Sequence, residues 1–239
     1  MKPLASRIRC LAVIPFPQDF DLVTETVRVV DLEFVITRPR ASEDLIDESE
    51  YADDERLPYW ADLWPSGRAL ATELAEREIA GARILELGAG LSLPSLVALA
   101  RGARPLATDW YPVALAFARA NAAAAGLGEL DALEVDWSHP PDELFARGPF
   151  DLIIGADVAY EPRHAAQLAE LIGRLAGPTT SIAIADPRRP DANALVGALV
   201  GSGWEHRRDE RRIAGRPDEQ GPVVYLHQFT RPDRHCATP

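Results

Sequence analysis

The sequence predicts an α/β protein built on a doubly wound, mostly parallel sheet of seven strands. Two observations lead to this class. From residue 59 onward, strand-like apolar runs alternate with helical stretches, a pattern that places helices on both faces of a parallel sheet. The last two apolar runs follow each other as a hairpin, which adds at least one antiparallel strand. With 47% hydrophobic and 26% charged residues in 239, the composition is that of a globular chain and excludes a disordered one.

Strands are also predicted ahead of this alternation. Residues Glu25–Thr37 are β-branched and roughly alternating, which indicates one or two strands that end at Pro39. Residues 43–55 follow and contain eight acidic residues. They form either a solvated segment or an acidic rim that attracts a cationic substrate. We therefore predict an N-terminal extension over residues 1–57 and a second domain over residues 58–239.

The second domain is predicted to begin with a helix from about Gly67 to Glu78, which Ser66 can cap. The elements after it follow from the alternation and from glycine and proline stop signals. Strands are expected at residues 82–87, 104–108, 130–135, 150–156, 181–185, 204–213 and 223–230, and helices at 93–101, 112–125, 164–176 and 191–200.

Charge and composition disfavour several functional classes. A net charge of −12 argues against binding to duplex nucleic acid, which needs a basic face. Apolar runs such as Leu152–Ala156 are far too short to cross a bilayer, and Met1–Pro17 does not resemble a signal peptide. The two cysteines, Cys10 and Cys236, lie near opposite ends, so we expect no disulfide framework and a cytoplasmic location.

A glycine loop and an acidic residue indicate a nucleoside-containing ligand. The strand at 82–87 runs into Gly88 and Gly90 just before a helix, where the backbone can approach a ligand closely. Asp109 ends the next strand, and a carboxylate there can accept hydrogen bonds from ribose hydroxyls. The dinucleotide fingerprint would need a glycine where Leu93 stands. The alternative is a glycine-rich turn with a helix-capping aspartate and no ligand.

Several segments together resemble the seven-β-strand S-adenosylmethionine-dependent methyltransferases, which have a Rossmann-like fold. They are Glu86–Gly90 (ELGAG), Thr108-Asp109, Asp136-Trp137 and Asp157–Tyr160 (DVAY). Within that family the chain is similar to protein lysine methyltransferases with Asp-x-x-Tyr after the fourth strand. Residues 57–67 (LPYWADLWPSG) resemble the branch that methylates the electron-transfer flavoprotein β-subunit. One departure is Ser92, where the family often has a third glycine; we expect serine to be small enough for the cofactor.

The resemblance implies S-adenosylmethionine as the methyl donor and assigns polar residues to it. Gly88 and Gly90 would lie under its methionine and ribose portions, and Glu86 near its amino end. Asp109 would hold the ribose hydroxyls, and Asp136 would accept a hydrogen bond from the adenine amino group. Two alternatives stay open: Glu86 as a structural carboxylate bonded to the loop, and Asp136 as a cap or turn residue.

Aromatic residues are predicted to complete the donor site. The resemblance places Trp64 near the donor, where an electron-rich ring suits a sulfonium. Trp137 offers an apolar wall, and Trp110 either covers the adenine or is a surface aromatic. Trp60 is either pocket wall or core, and for Tyr59 we favour the core.

Asp157 and Tyr160 are the predicted catalytic pair. They follow the fourth strand of the second domain, and the resemblance implies that they hold a lysine amine for in-line displacement. A small-molecule N- or O-methyltransferase is the alternative, and a non-catalytic cofactor-binding scaffold is a third reading. His139 and His164 lack partners at metal-ligand spacing, so we expect no metal and two surface histidines.

Overall fold

A computed structural model of the chain describes residues 15–40, 59–213 and 221–232. These residues form one sheet of seven strands and a separate two-stranded hairpin. The acidic segment 43–55, both cysteines and the predicted domain boundary at residues 57 and 58 lie outside the described residues. None of the described helices has the length and apolar content that a membrane crossing needs.

The strands agree with their predicted positions to within a few residues. The hairpin comprises β1 (Leu22–Val29) and β2 (Leu32–Pro39), and the sheet comprises β3 (Arg83–Leu87), β4 (Arg104–Asp109), β5 (Asp131–Glu134), β6 (Phe150–Ala156), β7 (Ala176–Asp186), β8 (Glu205–Arg212) and β9 (Val223–Thr230). A short 3₁₀ turn at Tyr59–Ala61 precedes the helices, which are α1 (Pro65–Ala75), α2 (Leu93–Ala100), α3 (Pro112–Ala124), α4 (Asp142–Ala146), α5 (Pro162–Leu175) and α6 (Pro190–Gly201). The sequence did not predict the short helix α4.

The sheet has the strand order β5-β4-β3-β6-β7-β9-β8. Its first five strands are parallel, and β9 runs antiparallel to both β7 and β8. The predicted fold class is therefore confirmed. The strand order reverses between β3 and β6, and open α/β sheets bind ligands beside such a reversal, at the carboxyl ends of the strands.

Helices cover both faces of the sheet, each over its own apolar core. One core joins α1, α2 and α3 to the sheet and also takes in the inward residues of the hairpin, Val27, Val29, Phe34 and Ile36. The other core joins α4, α5 and α6 to the opposite face. Both cores hold the strands rigidly, so the loops at the carboxyl ends of the strands are presented from a fixed frame.

The hairpin is fastened to α3 by one side chain. Asn121 is fully buried, and its amide accepts a hydrogen bond from the backbone N–H of Thr37 (2.8 Å) and donates one to the carbonyl of Thr37 (3.0 Å). This pair imitates the bonds of a neighbouring strand. It thereby satisfies backbone groups of β2 that would otherwise be buried without partners.

Helix α1 begins earlier than the sequence predicts. Trp64 is its N-cap residue, and Pro65 occupies the first helical position, where a missing N–H costs nothing. The predicted cap residue, Ser66, is instead buried inside the first turn, and no side chain caps the helix. The Trp-Pro pair, rather than the serine, sets the start of the helix.

Candidate active site

A cleft of about 1290 Å³, measured with its open mouth, lies at the carboxyl edge of the sheet. The loops that follow β3, β4, β5, β6 and β7 form it together with the segment from Tyr59 to Gly67. All ten site residues predicted from the sequence line this cleft: Trp64, Glu86, Gly88, Gly90, Asp109, Trp110, Asp136, Trp137, Asp157 and Tyr160. The fold thus brings the predicted donor residues and the predicted catalytic pair to one place.

The glycine loop after β3 has a left-handed backbone that favours glycine. Gly88 and Gly90 have φ angles of 61° and 52°. A Cβ at Gly88 would lie 3.0 Å from Val158, and one at Gly90 would lie 3.2 Å from the carbonyl oxygen of Trp60. Both glycines are therefore required by the packing of the loop itself, apart from any ligand.

Ser92 continues this left-handed stretch with a φ of 61° and forms the N-cap position of α2. The third glycine that related loops often carry would adopt this angle without strain. In this chain the strain is offset by a hydrogen bond that only a side chain can make, from the Ser92 hydroxyl to Glu86 (2.8 Å). Sequence reasoning weighed the size of Ser92 and missed its backbone angle.

Glu86 is buried at the floor of the cleft. One of its carboxylate oxygens, Oε2, accepts hydrogen bonds from the Ser92 hydroxyl and from the hydroxyl and backbone N–H of Ser95. Burial raises the pKa of Glu86 to about 7, although the serine bonds act against this shift. These bonds are the ones expected of a structural carboxylate, and the side chain nevertheless lines the cleft.

Asp109 ends β4 and closes the loop from the opposite side. Its carboxylate oxygens accept hydrogen bonds from the backbone N–H groups of Gly90 (2.8 Å) and Tyr111 (2.9 Å), and the backbone N–H of Trp110 also donates to this carboxylate. Burial raises the pKa of Asp109, and the backbone hydrogen bonds oppose that rise. Each oxygen of a carboxylate has a second lone pair, so Asp109 keeps acceptor capacity for a ligand in the cleft.

The loop after β5 brings Asp136 and Trp137 to the cleft. Asp136 accepts hydrogen bonds from the backbone N–H (2.8 Å) and the hydroxyl (2.6 Å) of Ser138, as in a side-chain-stabilised turn. The hydrogen bonds of Asp136 are thus those of a turn residue, as in the alternative considered above. Its position in the cleft is also compatible with the predicted contact to the adenine amino group. Trp137 packs over the glycine loop, against the position that a Cβ of Gly88 would occupy.

A row of rings runs along the cleft. Tyr59 meets Trp64 and Tyr160 edge-on, with ring centroids 5.9 and 5.7 Å apart. His164 links Tyr160 to Trp137, at 4.6 and 5.1 Å. Electron-rich ring faces at such a site suit a sulfonium or an alkylammonium.

The structure corrects two predictions about ring residues. Tyr59 is 42% exposed and forms a wall of the cleft rather than core, whereas the neighbouring Trp60 is buried against Phe117 and also borders the cleft. His164 is buried beside Tyr160 and is not a surface histidine, while His139 is exposed as predicted. The spacing of four residues between Tyr160 and His164 at the start of α5 could have indicated this contact.

Asp157 has a partner that the sequence did not reveal. It follows β6 and has a φ of 58°. The guanidinium of Arg189 binds its carboxylate side-on: Nε donates to Oδ1 (2.5 Å) and Nη2 donates to Oδ2 (3.3 Å). Arg189 stands after β7, the neighbour of β6 in the sheet. The two residues are 32 positions apart in the chain. Only the strand pairing brings them together.

The described residues of this site contain no cluster of metal ligands. In the described ranges, no group of three or more histidine, cysteine, aspartate or glutamate residues could hold a metal ion. The polar groups of the cleft are carboxylates bonded to backbone and serine, one arginine pair and ring residues. This set suits an organic ligand with hydroxyl, amine and cationic groups.

Comparison with known families identifies the chain. A family model described as lysine methyltransferase matches residues 58–195, which is more than half of the sequence. The chain belongs to the lysine methyltransferase family. The matched region contains every residue of the cleft assigned above, from Trp64 through Arg189.

Curated relatives carry similar sequences. The histone-arginine methyltransferase METTL23 of Mus musculus is 32% identical over 110 residues, covering 44% of this chain and 44% of the relative. The electron transfer flavoprotein beta subunit lysine methyltransferase of Xenopus laevis is 33% identical over 138 residues, covering 55% and 53%. The chain thus spans about half the length of these relatives. The predicted membership of the protein lysine methyltransferases is confirmed.

Solved structures confirm the fold. The S-adenosylmethionine-dependent methyltransferase from Agrobacterium tumefaciens matches with a TM-score of 0.57 at 14% identity, covering 90% of this chain and 73% of that structure. At this identity the match concerns the fold. Membership of the methyltransferase family agrees with the predicted cofactor, S-adenosylmethionine.

Proposed function

We propose that the chain transfers a methyl group from S-adenosylmethionine to the side-chain amine of a lysine in a protein. One observation carries the proposal. A single cleft joins donor-type residues after β3, β4 and β5 to Asp157 and Tyr160 after β6. A methyltransferase needs its donor and acceptor side by side in this way, because the transfer is a direct in-line displacement.

The donor residues fit S-adenosylmethionine by their chemistry. Asp109 presents a carboxylate with remaining acceptor capacity for a ribose hydroxyl, and Asp136 is an acceptor beside Trp137 for an adenine amino group. Trp64 and Trp110 supply partly exposed ring faces at the mouth of the cleft. Gly88 and Gly90 have no side chains, so the loop leaves space for the donor, and Glu86 contributes a carboxylate at the floor of the cleft. When bound, the donor supplies an electrophilic methyl group on a sulfonium.

The acceptor side is formed by Asp157 and Tyr160. A lysine ammonium must first lose its proton to solvent, because only the neutral amine has the lone pair that forms the new N–C bond. As that bond forms, the S–C bond breaks and its electron pair stays on sulfur. Asp157 and Tyr160 orient the amine, and the rings of Tyr59 and Trp64 exclude water from its path.

An arginine acceptor is a second candidate. The mouse relative is named a histone-arginine methyltransferase, and Asp157 already receives a guanidinium side-on in this structure. This contact supports the second candidate, because the Asp157 carboxylate is oriented to accept a guanidinium. A small-molecule amine remains the alternative, but no contact in the cleft specifically favours it.

We also propose a cytoplasmic site of action and a protein partner rather than a nucleic acid. Two cysteines far apart in the sequence support the location, since reducing compartments do not need disulfides. A net charge of −12 supports the choice of partner, because it repels a phosphate backbone and attracts a basic protein segment.

Labelling of a cell lysate tests the proposal. The purified protein is incubated with lysate and S-adenosylmethionine carrying a tritiated methyl group, and labelled products are separated and identified by mass spectrometry. We expect a labelled protein band with methyl on a lysine side chain. Methyl on arginine would favour the second candidate, labelled small molecules would favour the small-molecule alternative, and no label would favour a non-catalytic scaffold.

Two variants connect this result to the cleft. Asp109→Ala removes a charge-assisted acceptor worth about 1.5–3 kcal/mol, so calorimetry should find donor affinity at least tenfold weaker. Asp157→Asn should keep donor affinity and lose most of the turnover, because Asp157 faces the acceptor. Full donor affinity in a folded Asp109→Ala protein would contradict the ribose assignment, and loss of donor affinity in Asp157→Asn would move that residue to the donor site.

A further inference from the structure

The Asp157–Arg189 ion pair is the strongest feature of the cleft that the proposed function leaves unexplained. The Asp157 side chain is only 7% exposed, and Arg189 is 39% exposed. Bidentate arginine–carboxylate pairs are strong and fixed in direction. The catalytic carboxylate therefore faces the acceptor with its negative charge already compensated.

A chain of hydrogen bonds that begins at Asp186 supports the position of Arg189. Asp186, which is buried at the end of β7, accepts a hydrogen bond from the backbone N–H of Arg189 (2.5 Å). The other oxygen of Asp186 lies 3.2 Å from Nε2 of the buried His227, and His227 in turn contacts His206 (2.9 Å). Such support marks a built position, not a chance surface contact.

Charge compensation matters because of what a lone carboxylate would do to the acceptor. A nearby negative charge favours the ammonium form of an amine and raises its pKa, which for lysine is already about 10.4. An ammonium has no lone pair for methyl transfer. The guanidinium opposes this effect, and it cannot lose its own proton to the carboxylate.

We propose that Arg189 is a positioning residue whose guanidinium cancels the charge of Asp157, so that an acceptor amine binds there in its neutral, nucleophilic form; this inference rests on the proposed lysine methylation. The side-on pair uses one lone pair of each Asp157 oxygen and leaves a second for the amine. Asp157 thus orients the acceptor as a hydrogen-bond acceptor without holding its proton.

Other charged and titratable groups face the pair and must be kept constant in the test. The 3₁₀ turn contributes Tyr59 and the adjacent Asp62, α5 contributes Arg163 and His164, and the β6–α5 loop contributes Tyr160. Hydrogen bonding to Asp157 raises the pKa of Arg189, and the charges of Asp157, Tyr59 and Asp186 act in the same direction. Glu86, whose pKa burial raises to about 7, lines the same cleft, and every variant retains it. Comparison between variants that all retain His164 removes its contribution.

The experiment measures the ionisation of a bound amine. The probe is Nα-acetyl-lysinamide with ¹⁵N in its side-chain amine, titrated by NMR in complex with the protein and S-adenosylhomocysteine, so that no turnover occurs. We expect the amine pKa to be at least one unit higher in Arg189→Met than in wild type. Arg189→Lys, which retains the charge, should behave like wild type.

Arg188→Met is the matched control. It removes the same charge one residue away, from an exposed side chain that lies over the ring of Tyr225 and not against Asp157. Its bound amine should titrate as in wild type. Circular dichroism and thermal unfolding verify that each variant is folded. Arg189→Gln, which also removes the charge, takes the place of Arg189→Met in the comparison if Arg189→Met does not fold.

Turnover of the same probe adds a second readout. Arg189→Met should lower kcat about tenfold or more near neutral pH, lower KM for the amine, and move the pH–rate profile to higher pH. Equal amine pKa values in wild type and Arg189→Met would overturn the inference, and so would a rise of the amine pKa in Arg188→Met as large as that in Arg189→Met. Failure of wild type to label any lysine would instead refute the proposed function, whereas the NMR comparison reports on Arg189 alone.

Discussion

At the scale of single residues, non-glycine residues with a left-handed backbone conformation lie at or near the cleft. Four non-glycine residues of the described chain have a positive φ: Val30, Ser92, Asp157 and Arg188. Val30 lies in the hairpin turn, and the other three border or support the cleft. Each such residue costs on the order of 1 kcal/mol, and the bonds of Ser92 to Glu86 and of Asp157 to Arg189 offset this cost. The strain is concentrated where ligands are expected.

Glu86 leads to a prediction about stability and pH. Its folded pKa of about 7 lies above the ordinary value of 4.5, so the native state holds a proton that the unfolded chain releases between these pH values. The contribution of Glu86 to stability is thus complete below about pH 4.5 and is lost as pH rises to about 7. The loss is on the order of 3 kcal/mol, at 1.36 kcal/mol per unit.

Glu86→Gln removes this group while keeping its shape and its bonds to the serines. Urea unfolding at pH 5 and pH 8 should therefore find a smaller fall in stability for the variant than for wild type. Asp109, whose pKa burial also raises, is present in both proteins and cancels in the comparison. An equal fall in the two proteins would mean that Glu86 is ionised throughout.

The hairpin of β1 and β2 supports the cleft at the scale of whole elements. Arg38 in β2 forms ion pairs with Glu25 (2.9 Å) and with Asp62 (3.1 Å), and Asp62 borders the cleft. Arg68 of α1 reaches the same Glu25 (3.1 Å). Together with the bonds of Asn121, these contacts fix the segment that carries Tyr59 and Trp64. The hairpin is therefore part of the architecture of the site, and the boundary of the N-terminal extension at residue 57 remains a prediction.

We expect Asn121→Ala to release the hairpin. The change leaves the N–H and the carbonyl of Thr37 without their partner, at a cost on the order of 2–4 kcal/mol. Hydrogen exchange should accelerate in residues 22–39, and urea unfolding should shift to lower concentration. The control is Asn193→Ala, an exposed asparagine in α6 whose replacement should change stability by no more than about 0.5 kcal/mol. Unchanged exchange in the hairpin would contradict this role of Asn121.

Net charge acts at the scale of the whole molecule. With 37 acidic and 25 basic residues, the chain carries a charge of −12 and attracts cationic partners over several ångströms. Within the cleft, by contrast, the Asp157–Arg189 pair is neutral as a unit. In our proposal, long-range attraction draws a basic segment to the protein, and the local pairing determines which form of its amine is bound.

Salt should therefore weaken methylation of a lysine-rich peptide. Raising NaCl from 50 to 300 mM shortens the Debye length from more than 10 Å to less than 8 Å, and kcat/KM should fall several-fold. Binding of S-adenosylhomocysteine, which has no net charge, is the control and should change little in calorimetry. A kcat/KM that is constant with salt would show that overall charge does not guide the substrate.

The features that the sequence determined by itself are those encoded in local sequence patterns. Strand and helix order, the glycine loop with Asp109, and the Asp-x-x-Tyr motif all lie within short segments, where hydrophobic period and turn chemistry are legible. These signals led to the seven-stranded sheet, and the family resemblance of the same segments led to the ten residues that line one cleft. The short helix α4 was missed because five residues contain less than two helical turns of pattern.

Contacts between distant segments were decided only by the tertiary structure. Arg189 reaches Asp157 because β7 lies beside β6, and Asn121 reaches Thr37 because the hairpin packs on α3. His164 is buried because α5 carries it under Tyr160 and Trp137. No local period encodes such pairs, since each depends on the docking of elements that are far apart in the chain. The sequence thus determined which residues reach the edge of the sheet, and packing decided which of them touch.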